Sequence, residues 1–459
     1  MQPATEFDGT SVQMCGLWPH ALGAPVPMVG VPLGRHLRTG APVCADPLSW
    51  FRAGITHNPG MTALGATGRG KSTLVRTMAL GLAATGVGLL VLGDLKPDYT
   101  GLLRALGGQV IDLGRGRGCL NMLDPGALHH AAARLSGPNG DALRVEAGAR
   151  AADLVAALLE VHTRTPLPPD QESLLRVAVT TLHTQRTAEA PAPVLADLIE
   201  LVATGPRVLR ELTAARTQSV YAERAAGLHR TLTGFASGDL GASFGRASTV
   251  RLDLDGAGVC VDISALSGGR TDQRHLAAVL LSTWAAGFAA IEATHTLADA
   301  GVGRPRDFLV VLDELWAVLR ACPGMVDRVD ALTRTNRAEK VANVLVTHSF
   351  ADLDALPNPQ DRAKAAGFVE RSGLIATAEL SGPDLDRLDH VIGLNSAERA
   401  EIRSWSLGEH HHPAGGRGVP ASRGRFLLKT GTRPGIPVRV YVPKCAAAIN
   451  DTDHRWTTP

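Results

Sequence analysis

The chain has 459 residues with 46 basic and 44 acidic side chains, and its formal net charge at pH 7 is +2. At this length we expect two or three structural units. The balanced charge excludes an overall basic surface for nucleic acid and leaves only a local patch. Six widely spaced cysteines without a CxxC pair argue against a disulfide framework or a zinc site and favour a reduced, cytoplasmic protein.

Residues 1–50 are rich in Pro and Gly, which predicts an extended arm or a few short edge strands. No basic stretch followed by an apolar run opens the chain, so we predict no signal peptide. The apolar stretch 276–291 is short for a bilayer, which needs about 20 residues, and we predict a buried helix there. With no transmembrane segment of its own, the protein is expected to reach a membrane only through a partner.

Strand and helix patterns alternate after this arm. The sequence predicts a strand at 61–65, a helix at 71–84, and strands at 87–94 and 109–114, which is the pattern of a parallel α/β sheet. Across 128–235 apolar residues recur at helical spacing and no strand is evident. We therefore predict an α/β core with a first part at 51–127, an all-helical insertion at 128–235 and a second part at 236–459.

The second part of this predicted core again alternates strands and helices. Residues 249–264 predict two strands around a Gly turn, and 273–293 predict a helix. Residues 307–319 predict a buried strand that leads into a helix. Further strands are predicted at 341–349 and 373–380, and a hairpin is predicted at 425–442.

Residues 65–72, GATGRGKS, have the spacing GxxxxGK[ST] of a phosphate-binding loop. The loop follows a predicted strand and opens a predicted helix, so backbone amides and the positive helix N-terminus would face one anion. Within it, Lys71 would reach the β- and γ-phosphates and Ser72 would ligate Mg²⁺. The predicted nucleotide contacts are Gly65, Ala66, Thr67, Gly68, Arg69, Gly70, Lys71, Ser72 and Thr73.

Five apolar residues, 308–312, lead directly into Asp313 and Glu314. Ligands bind at the carboxyl ends of strands in open α/β sheets, which places this acid pair at the same edge as the phosphate loop. We predict that Asp313 holds Mg²⁺ through water and that Glu314 activates the attacking water. An acid beside the magnesium acid favours nucleotide hydrolysis over a small-molecule kinase.

Other polar residues lie at the ends of predicted strands. His348, after Thr347, could sense the γ-phosphate, although Ser349 could equally make this a simple helix cap. An arginine, often from a neighbouring subunit, usually neutralises the transition state. Arg337 is our first candidate and Arg371 the second, and a surface role is open for both.

Three further charged stretches have two interpretations each. The segment 93–99 carries Asp94, Lys96 and Asp98 and either lines the site or forms a polar turn. The tract 410–412 consists of three adjacent histidines, which cannot all face one ion, so a loop is favoured over a metal site. The basic set that follows fits a phosphate backbone or a solvated surface: Arg417, Arg423, Arg425 and Lys429.

Taken together, these motifs resemble the motor domain of conjugative type IV secretion ATPases, the TraC-like class of the HerA/FtsK superfamily, and its actinobacterial members most. The resemblance runs from 51 to 442 and rests on ITHNPGMTALGATGRGKSTLVRTMA, GDLKPDY, the Asp-Glu strand and LLKTGTRPGIPVRVYV. It implies a RecA-like P-loop NTPase fold with a mostly parallel sheet and an all-α insertion. It also implies ATP and Mg²⁺ as cofactors, a homo-hexamer, and membrane-bound secretion or conjugation components as partners.

The chain departs from this family pattern in two places. His348 stands where members usually have Gln, and an imidazole titrates near neutral pH. Residues 1–50 alone precede the predicted motor, so we expect a separate chain to supply the docking domain. The main hypothesis is an ATP-hydrolysing motor that powers DNA transfer or assembly of the transfer apparatus. The alternatives are an FtsK/HerA-like translocase that binds DNA directly, and a nucleotide-dependent scaffold with little turnover.

Overall fold

The computed structural model describes residues 26–114, 117–135, 137–185, 190–266, 273–321, 324–406 and 422–450. The strands in these ranges are β1 Pro32–His36, β2 Pro42–Cys44, β3 Gly60–Leu64, β4 Gly88–Asp94, β5 Gln109–Asp112, β6 Gly258–Asp262, β7 Phe308–Leu312, β8 Val341–Thr347, β9 Leu374–Thr377, β10 Arg425–Lys429 and β11 Ile436–Val440. They form one 11-stranded sheet in the order β2-β1-β11-β10-β9-β3-β8-β7-β4-β6-β5.

From β9 to β5 every neighbouring pair of strands is parallel, whereas the strands at the other edge pair antiparallel. All residues of the central strands β3, β7 and β8 are buried. Continuous apolar runs of this kind are expected where helices cover both faces of a parallel sheet. The predicted α/β fold with a mostly parallel sheet is confirmed.

Helices pack on both faces of this sheet. They are α1 Pro47–Arg52, α2 Lys71–Ala84, α3 Thr100–Ala105, α4 Gly126–Arg134, α5 Pro138–Thr163, α6 Pro169–Thr184, α7 Leu195–Thr204, α8 Arg207–Leu212, α9 Gln218–Ser237, α10 Asp239–Phe244, α11 Gln273–Asp299, α12 Leu315–Ala321, α13 Met325–Thr335, α14 Phe350–Asp354, α15 Pro359–Arg371, α16 Gly382–Ile392, α17 Ser396–Ser404 and α18 Ala447–Asn450. Leu90 and Leu92 of β4 enter the core on one face, and Leu89 and Val91 enter the core on the other. This alternation follows from the pleat of the strand.

Between β5 and β6 the described residues form the helices α4 to α10 and no strand of the sheet. Leu159 of α5 and Phe235 of α9 belong to the same apolar core as Val261 of β6 and Trp284 of α11. Most of the helical segment therefore packs directly onto one face of the sheet, while α4 and the start of α5 form a smaller apolar cluster with Ala293 of α11.

The prediction of two strands at 249–264 is wrong for the first of them. Only β6 forms. Backbone groups of the preceding segment bond to a side chain, whereas a strand would form backbone hydrogen bonds with a neighbouring strand. The side-chain amide of Gln109 donates through Nε2 to the Arg251 carbonyl at 2.8 Å, and its Oε1 accepts from the backbone amide of Asp253 at 3.0 Å. The Gln109 side chain thus pairs with two backbone groups of this segment in place of a strand ladder.

Helix α11 is the one helix in the described ranges that is long and apolar enough to cross a membrane. In its most apolar window 67% of the residues are buried. Trp284 is 2% exposed, and the Thr283 hydroxyl donates to the Leu92 carbonyl of β4 at 2.8 Å. The helix is thus a core helix on the sheet, as predicted for 276–291.

The described part of the predicted arm, 26–50, contributes two short strands at the sheet edge. β1 pairs antiparallel with β11, so that Gly34 lies opposite Val440. β11 in turn forms the predicted hairpin with β10, which pairs with β9. The amino-terminal strands and the carboxyl-terminal hairpin therefore extend the parallel sheet on the side of the phosphate loop strand β3.

Candidate active site

The phosphate loop connects β3 to α2 and adopts a backbone that requires glycine. Gly65, Gly68 and Gly70 have φ values of +150°, +79° and +93°, which other residues rarely adopt. At Gly65 a Cβ atom would also lie 2.6 Å from the Cβ of Ala378, just beyond β9. The motif thus forms the strand–loop–helix unit that its spacing predicts.

Lys71, the first residue of α2, is 6% exposed and points back into the loop. Its ammonium group donates to the carbonyls of Gly65 at 2.6 Å and Ala66 at 3.1 Å, and lies 2.9 Å from Nδ1 of His348. Burial lowers the pKa of Lys71 to about 8, although the neighbouring acids oppose this shift. The loop therefore holds a cation at the position where the sequence predicts phosphate binding.

The acid pair follows β7 at the same edge of the sheet. Asp313 accepts hydrogen bonds from the Tyr99 hydroxyl and from the Glu314 amide, both at 2.8 Å. Glu314 has a φ of +52°, a left-handed conformation that costs a non-glycine residue about 1–2 kcal/mol. The hydrogen bonds that its carboxylate accepts offset this cost.

The Glu314 carboxylate accepts hydrogen bonds from three side chains. Nε1 of Trp316 lies at 2.6 Å, Nε2 of His348 at 3.0 Å, and the Lys96 ammonium forms a short ion pair with Oε1. Burial acts to raise the pKa of Glu314, but the hydrogen bonds and charges of His348 and Lys96 outweigh it and lower the pKa to about 2. In this arrangement Glu314 is ionised and fully paired.

His348 joins the two predicted motifs. Its Nδ1 lies beside the Lys71 ammonium and its Nε2 beside the Glu314 carboxylate. A neutral imidazole protonated on Nε2 satisfies both contacts, since it accepts from the lysine and donates to the glutamate. Ser349 caps α14 by accepting from the Asp352 amide at 3.3 Å, so the helix cap forms at Ser349 and leaves the His348 ring in the cleft.

The segment 93–99 lines the same cleft. Asp94 is 1% exposed and accepts from the amides of Tyr99 at 2.8 Å and Asp98 at 3.2 Å; burial raises its pKa to about 7. Asp98 accepts a hydrogen bond from Ser72 and pairs with Arg76 at 3.4 Å, and burial raises its pKa. Of the two interpretations of this segment, the structure favours a position at the site.

The sequence did not identify Tyr99, Trp316 and Arg76 as part of the site. Tyr99 and Trp316 lie within two residues of Asp98 and Glu314, which was the available signal. Arg76 lies one helical turn after Ser72 on α2, and its guanidinium donates to the Asp98 carbonyl at 2.8 Å. All three hold the predicted acids in place.

Neither arginine candidate lies near the phosphate loop of its own chain. Arg337 is exposed, precedes the amino end of β8, and stacks 5.6 Å from the centre of the Phe51 ring. Arg371 precedes β9 and pairs with Asp330 at 2.5 Å. Both therefore lie toward the amino ends of the parallel strands, at the edge opposite the site.

The side chain of Arg69 turns away from the phosphate cradle. It pairs with Glu379 at 3.0 Å and bonds the Ser422 hydroxyl at 3.2 Å, while its carbonyl accepts from the Gly424 amide at 2.9 Å. The loop is thus tied to the residues that follow β9 and precede β10. The predicted nucleotide contact at Arg69 would therefore have to come from its backbone amide.

The basic set near the carboxyl terminus does not form one surface. Lys429 is 3% exposed and pairs with Glu398 at 3.0 Å, so both surface interpretations are wrong for this residue. Arg423 and Arg425 are half-buried beside the phosphate loop and at the start of β10. The His410–His412 tract and Arg417 lie outside the described residues.

The donors that converge here suit a magnesium–nucleotide complex. The Ser72 hydroxyl and the carboxylates of Asp98 and Asp313 are hard oxygen ligands, which Mg²⁺ prefers. Within the described residues no group of three or more His, Cys, Asp or Glu side chains could hold a metal by itself. In nucleotide complexes Mg²⁺ is usually held by one or two carboxylates together with phosphate oxygens and water, and the donors present here fit that arrangement.

No protein-family model matches the sequence, and no curated protein matches it. Among solved structures, VirB4 of Thermoanaerobacter pseudethanolicus superposes with a TM-score of 0.65 at 17% identity, over 92% of this chain and 100% of that chain. The plasmid coupling protein TrwB in complex with ADP and Mg²⁺ matches at 13% identity over 93% and 97% of the two chains, but with a TM-score of only 0.47. The chain therefore has the fold of VirB4, and the RecA-like P-loop fold expected from its motifs is confirmed.

Proposed function

We propose that this chain is an ATP-hydrolysing motor of a conjugative type IV secretion system, powering DNA transfer or assembly of the transfer apparatus. The observation that carries the proposal is the convergence of Lys71 and Glu314 on the two nitrogens of His348. A phosphate loop and a candidate base that meet in one cleft are what nucleotide hydrolysis requires. The fold shared with VirB4 supports the same conclusion.

In this proposal each residue of the cleft has a defined role. The loop amides and Lys71 would bind the phosphates of ATP, and Ser72 and Asp313 would hold Mg²⁺, which would neutralise phosphate charge. Glu314 would orient the attacking water and accept its proton. The contacts of His348 with Lys71 and Glu314 support a role in reporting occupancy of the phosphate loop to the base.

We further propose that the motor is a homo-hexamer in which Arg337 of a neighbouring subunit completes the site. Arg337 is exposed near the amino ends of the parallel strands, whereas the phosphate loop lies at their carboxyl ends. In a head-to-tail ring, Arg337 could therefore contact the phosphate loop of the next subunit. The protein would act in the cytoplasm and reach the cytoplasmic membrane through membrane-bound secretion components.

Turnover of purified protein with MgATP tests this proposal. We expect Lys71→Ala to abolish hydrolysis and to weaken nucleotide binding, whereas Glu314→Gln should bind nucleotide but lose about 10²-fold or more in kcat, as expected for a general base. Lys364→Ala, on the exposed ion pair with Asp327, is the control and should retain activity. Wild-type turnover in Glu314→Gln would contradict the assigned base.

The same assay with added DNA separates the proposed motor from its alternatives. Hydrolysis that rises with duplex DNA and falls steeply with salt would identify a translocase that binds DNA directly. Slow, DNA-insensitive hydrolysis together with nucleotide-dependent assembly would identify a scaffold. A sizing measurement with and without nucleotide checks the hexamer.

A further inference from the structure

The carboxylate of Glu314 is enclosed by donors from three separate elements. Lys96 follows β4 and contacts Oε1, while Trp316 on α12 and His348 after β8 both contact Oε2, at 2.6 Å and 3.0 Å. The Glu314 side chain is only 9% exposed. Both carboxylate oxygens are thus occupied, and solvent has little access to either.

A general base must have a free lone pair within hydrogen-bond reach of the water it activates. A carboxylate offers about four lone-pair sites, and the three donors leave one, on the oxygen that pairs with Lys96. Because that oxygen belongs to a mostly buried side chain and already pairs with an ammonium group, Glu314 is poorly placed to orient a water molecule in this structure. Release of Lys96 would free the oxygen for water.

Lys96 is the donor best suited to release Glu314. Its side chain is 59% exposed, so it reaches the buried carboxylate from the solvent side on a flexible stem. Asp313 and Asp98 also lie close enough to attract its ammonium group. A magnesium ion bound with nucleotide in this cleft would compete with the Lys96 ammonium group for the same carboxylates.

His348 connects the same carboxylate to the phosphate loop. Lys71 contacts His348 and also the carbonyls of Gly65 and Ala66, and phosphates bound in the loop would compete for its ammonium group. If Lys71 turned to bound phosphates, the His348 ring would lose one of the two hydrogen bonds that hold it between Lys71 and Glu314. The restraint on Glu314 is therefore sensitive to nucleotide from two sides.

We propose that Lys96 is a positioning residue that holds Glu314 away from water in the nucleotide-free protein and releases it when MgATP binds. This inference rests on the proposed ATPase function. It differs from a direct catalytic role, in which Lys96 would contact the γ-phosphate and its loss would slow the reaction.

The decisive variant is Lys96→Met, which keeps the length of the side chain and removes its charge. Its kcat/KM for MgATP should rise about two- to fivefold, the factor that corresponds to loss of one ion pair. The gain should come through a lower KM with little change in kcat, because MgATP binding no longer has to break the contact with Glu314. Lys96→Arg should restore the wild-type rate because it keeps the cation. Lys340→Met is the matched control, since its side chain is also 59% exposed and ion-paired, with Asp299.

Fluorescence of Trp316 provides a readout that does not depend on turnover. Subtracting the emission of Trp316→Phe isolates the indole that donates to Glu314. This signal should change in wild type when MgATPγS is added, and nucleotide-free Lys96→Met should already be shifted in the same direction. A purely structural Lys96 would leave the signal unchanged.

The outcomes separate this inference from the proposed function. If wild type binds and hydrolyses ATP while the kcat/KM of Lys96→Met is equal to or lower than the wild-type kcat/KM, the restraint is refuted and the ATPase assignment stands. If calorimetry shows no more nucleotide binding by wild type than by Lys71→Ala, the proposed ATPase function and the restraint by Lys96 are both refuted. A raised kcat/KM in Lys96→Met and in Lys96→Arg alike would also refute the restraint, since the charge would not matter.

Discussion

At the scale of single residues, Asp94 is an acid whose environment favours the protonated form. It is 1% exposed at the end of β4, and the thiol of Cys260 on the neighbouring strand lies 3.6 Å away. Burial, together with the charges of Asp98 and Asp313, raises its pKa from 3.8 to about 7, although two backbone amides oppose the shift. Between these pH values the folded protein binds a proton that the unfolded chain releases.

This shift predicts a pH dependence of stability. The contribution of Asp94 is fully present below about pH 4 and is lost as the pH rises toward 7, because the folded state binds more protons than the unfolded state across that range. Asp94→Asn resembles the protonated acid and cannot ionise. The melting temperature of this variant, relative to wild type, should therefore increase from pH 5 to pH 8 in EDTA and without nucleotide.

The control for this measurement is Asp299→Asn, which removes the same charge from a side chain that is 74% exposed. Its melting temperature relative to wild type should not change with pH in the same way. If the difference in melting temperature between Asp94→Asn and wild type is constant from pH 5 to pH 8, folding does not raise the pKa of Asp94.

Single residues of the site were predictable where the signal is local. The loop glycines, Lys71 and the pair Asp313 and Glu314 are recognised from spacing and from an adjacent apolar strand. The contact between Lys96 and Glu314 spans 218 positions and depends on β4 and β7 being neighbours in the sheet. The sequence placed Lys96 at the site edge but could not name its partner.

At the scale of elements, the phosphate loop is fastened to the carboxyl-terminal half of the sheet. Arg69 and Glu379 are 10% and 14% exposed at their side chains, and the Ser422 hydroxyl contacts both. The Ala66 amide also donates to the Glu379 carbonyl at 3.0 Å. The conformation of the loop is therefore set partly by the segment between β9 and β10.

Arg69→Ala should weaken nucleotide binding although the side chain points away from the cradle. It leaves the mostly buried Glu379 carboxylate without this ion pair and loosens the loop backbone. A double-mutant cycle with Glu379→Ala should give a coupling free energy of about 1–3 kcal/mol in urea unfolding. Additive changes in the free energy of unfolding would show that the two side chains do not stabilise each other. A nucleotide Kd that is unchanged in Arg69→Ala would show that the ion pair does not influence the conformation of the phosphate loop.

Most elements were predictable because buried parallel strands are apolar runs and surface helices have a regular apolar spacing. The failure at 249–254 has a specific cause, since Leu252 and Leu254 alternate with acids as a strand would. Whether such a segment joins a sheet depends on a free neighbouring edge. Here the Gln109 side chain pairs with the Arg251 carbonyl and the Asp253 amide, and one sequence alone gives no sign of that contact.

At the scale of the whole molecule, one apolar core extends from the sheet into the helical segment. Phe235 and Leu228 of α9 are fully buried in the same cluster as Val310 of β7 and Leu280 of α11. Domains that share a core of this kind tend to unfold together. The helical segment is therefore expected to lose its structure with the sheet.

Phe235→Ala tests this cooperativity. Removing a fully buried phenylalanine should lower the free energy of unfolding by about 3–5 kcal/mol. Urea transitions followed by far-ultraviolet circular dichroism and by tryptophan fluorescence should shift together and remain coincident. An early helical transition that leaves tryptophan fluorescence unchanged would show that the segment unfolds on its own.

The helical segment leaves the sheet after Asp112 of β5 and returns at Gly258 of β6, and these two strands are neighbours at the outer edge. The chain thus departs and re-enters at nearly the same place, remote from β3. Closing a longer excursion adds only a logarithmic entropy penalty, roughly 0.6 kcal/mol for each doubling of its length. Insertions or surface substitutions on the outward side of these helices can therefore create binding sites for new partners while the nucleotide cleft keeps its geometry.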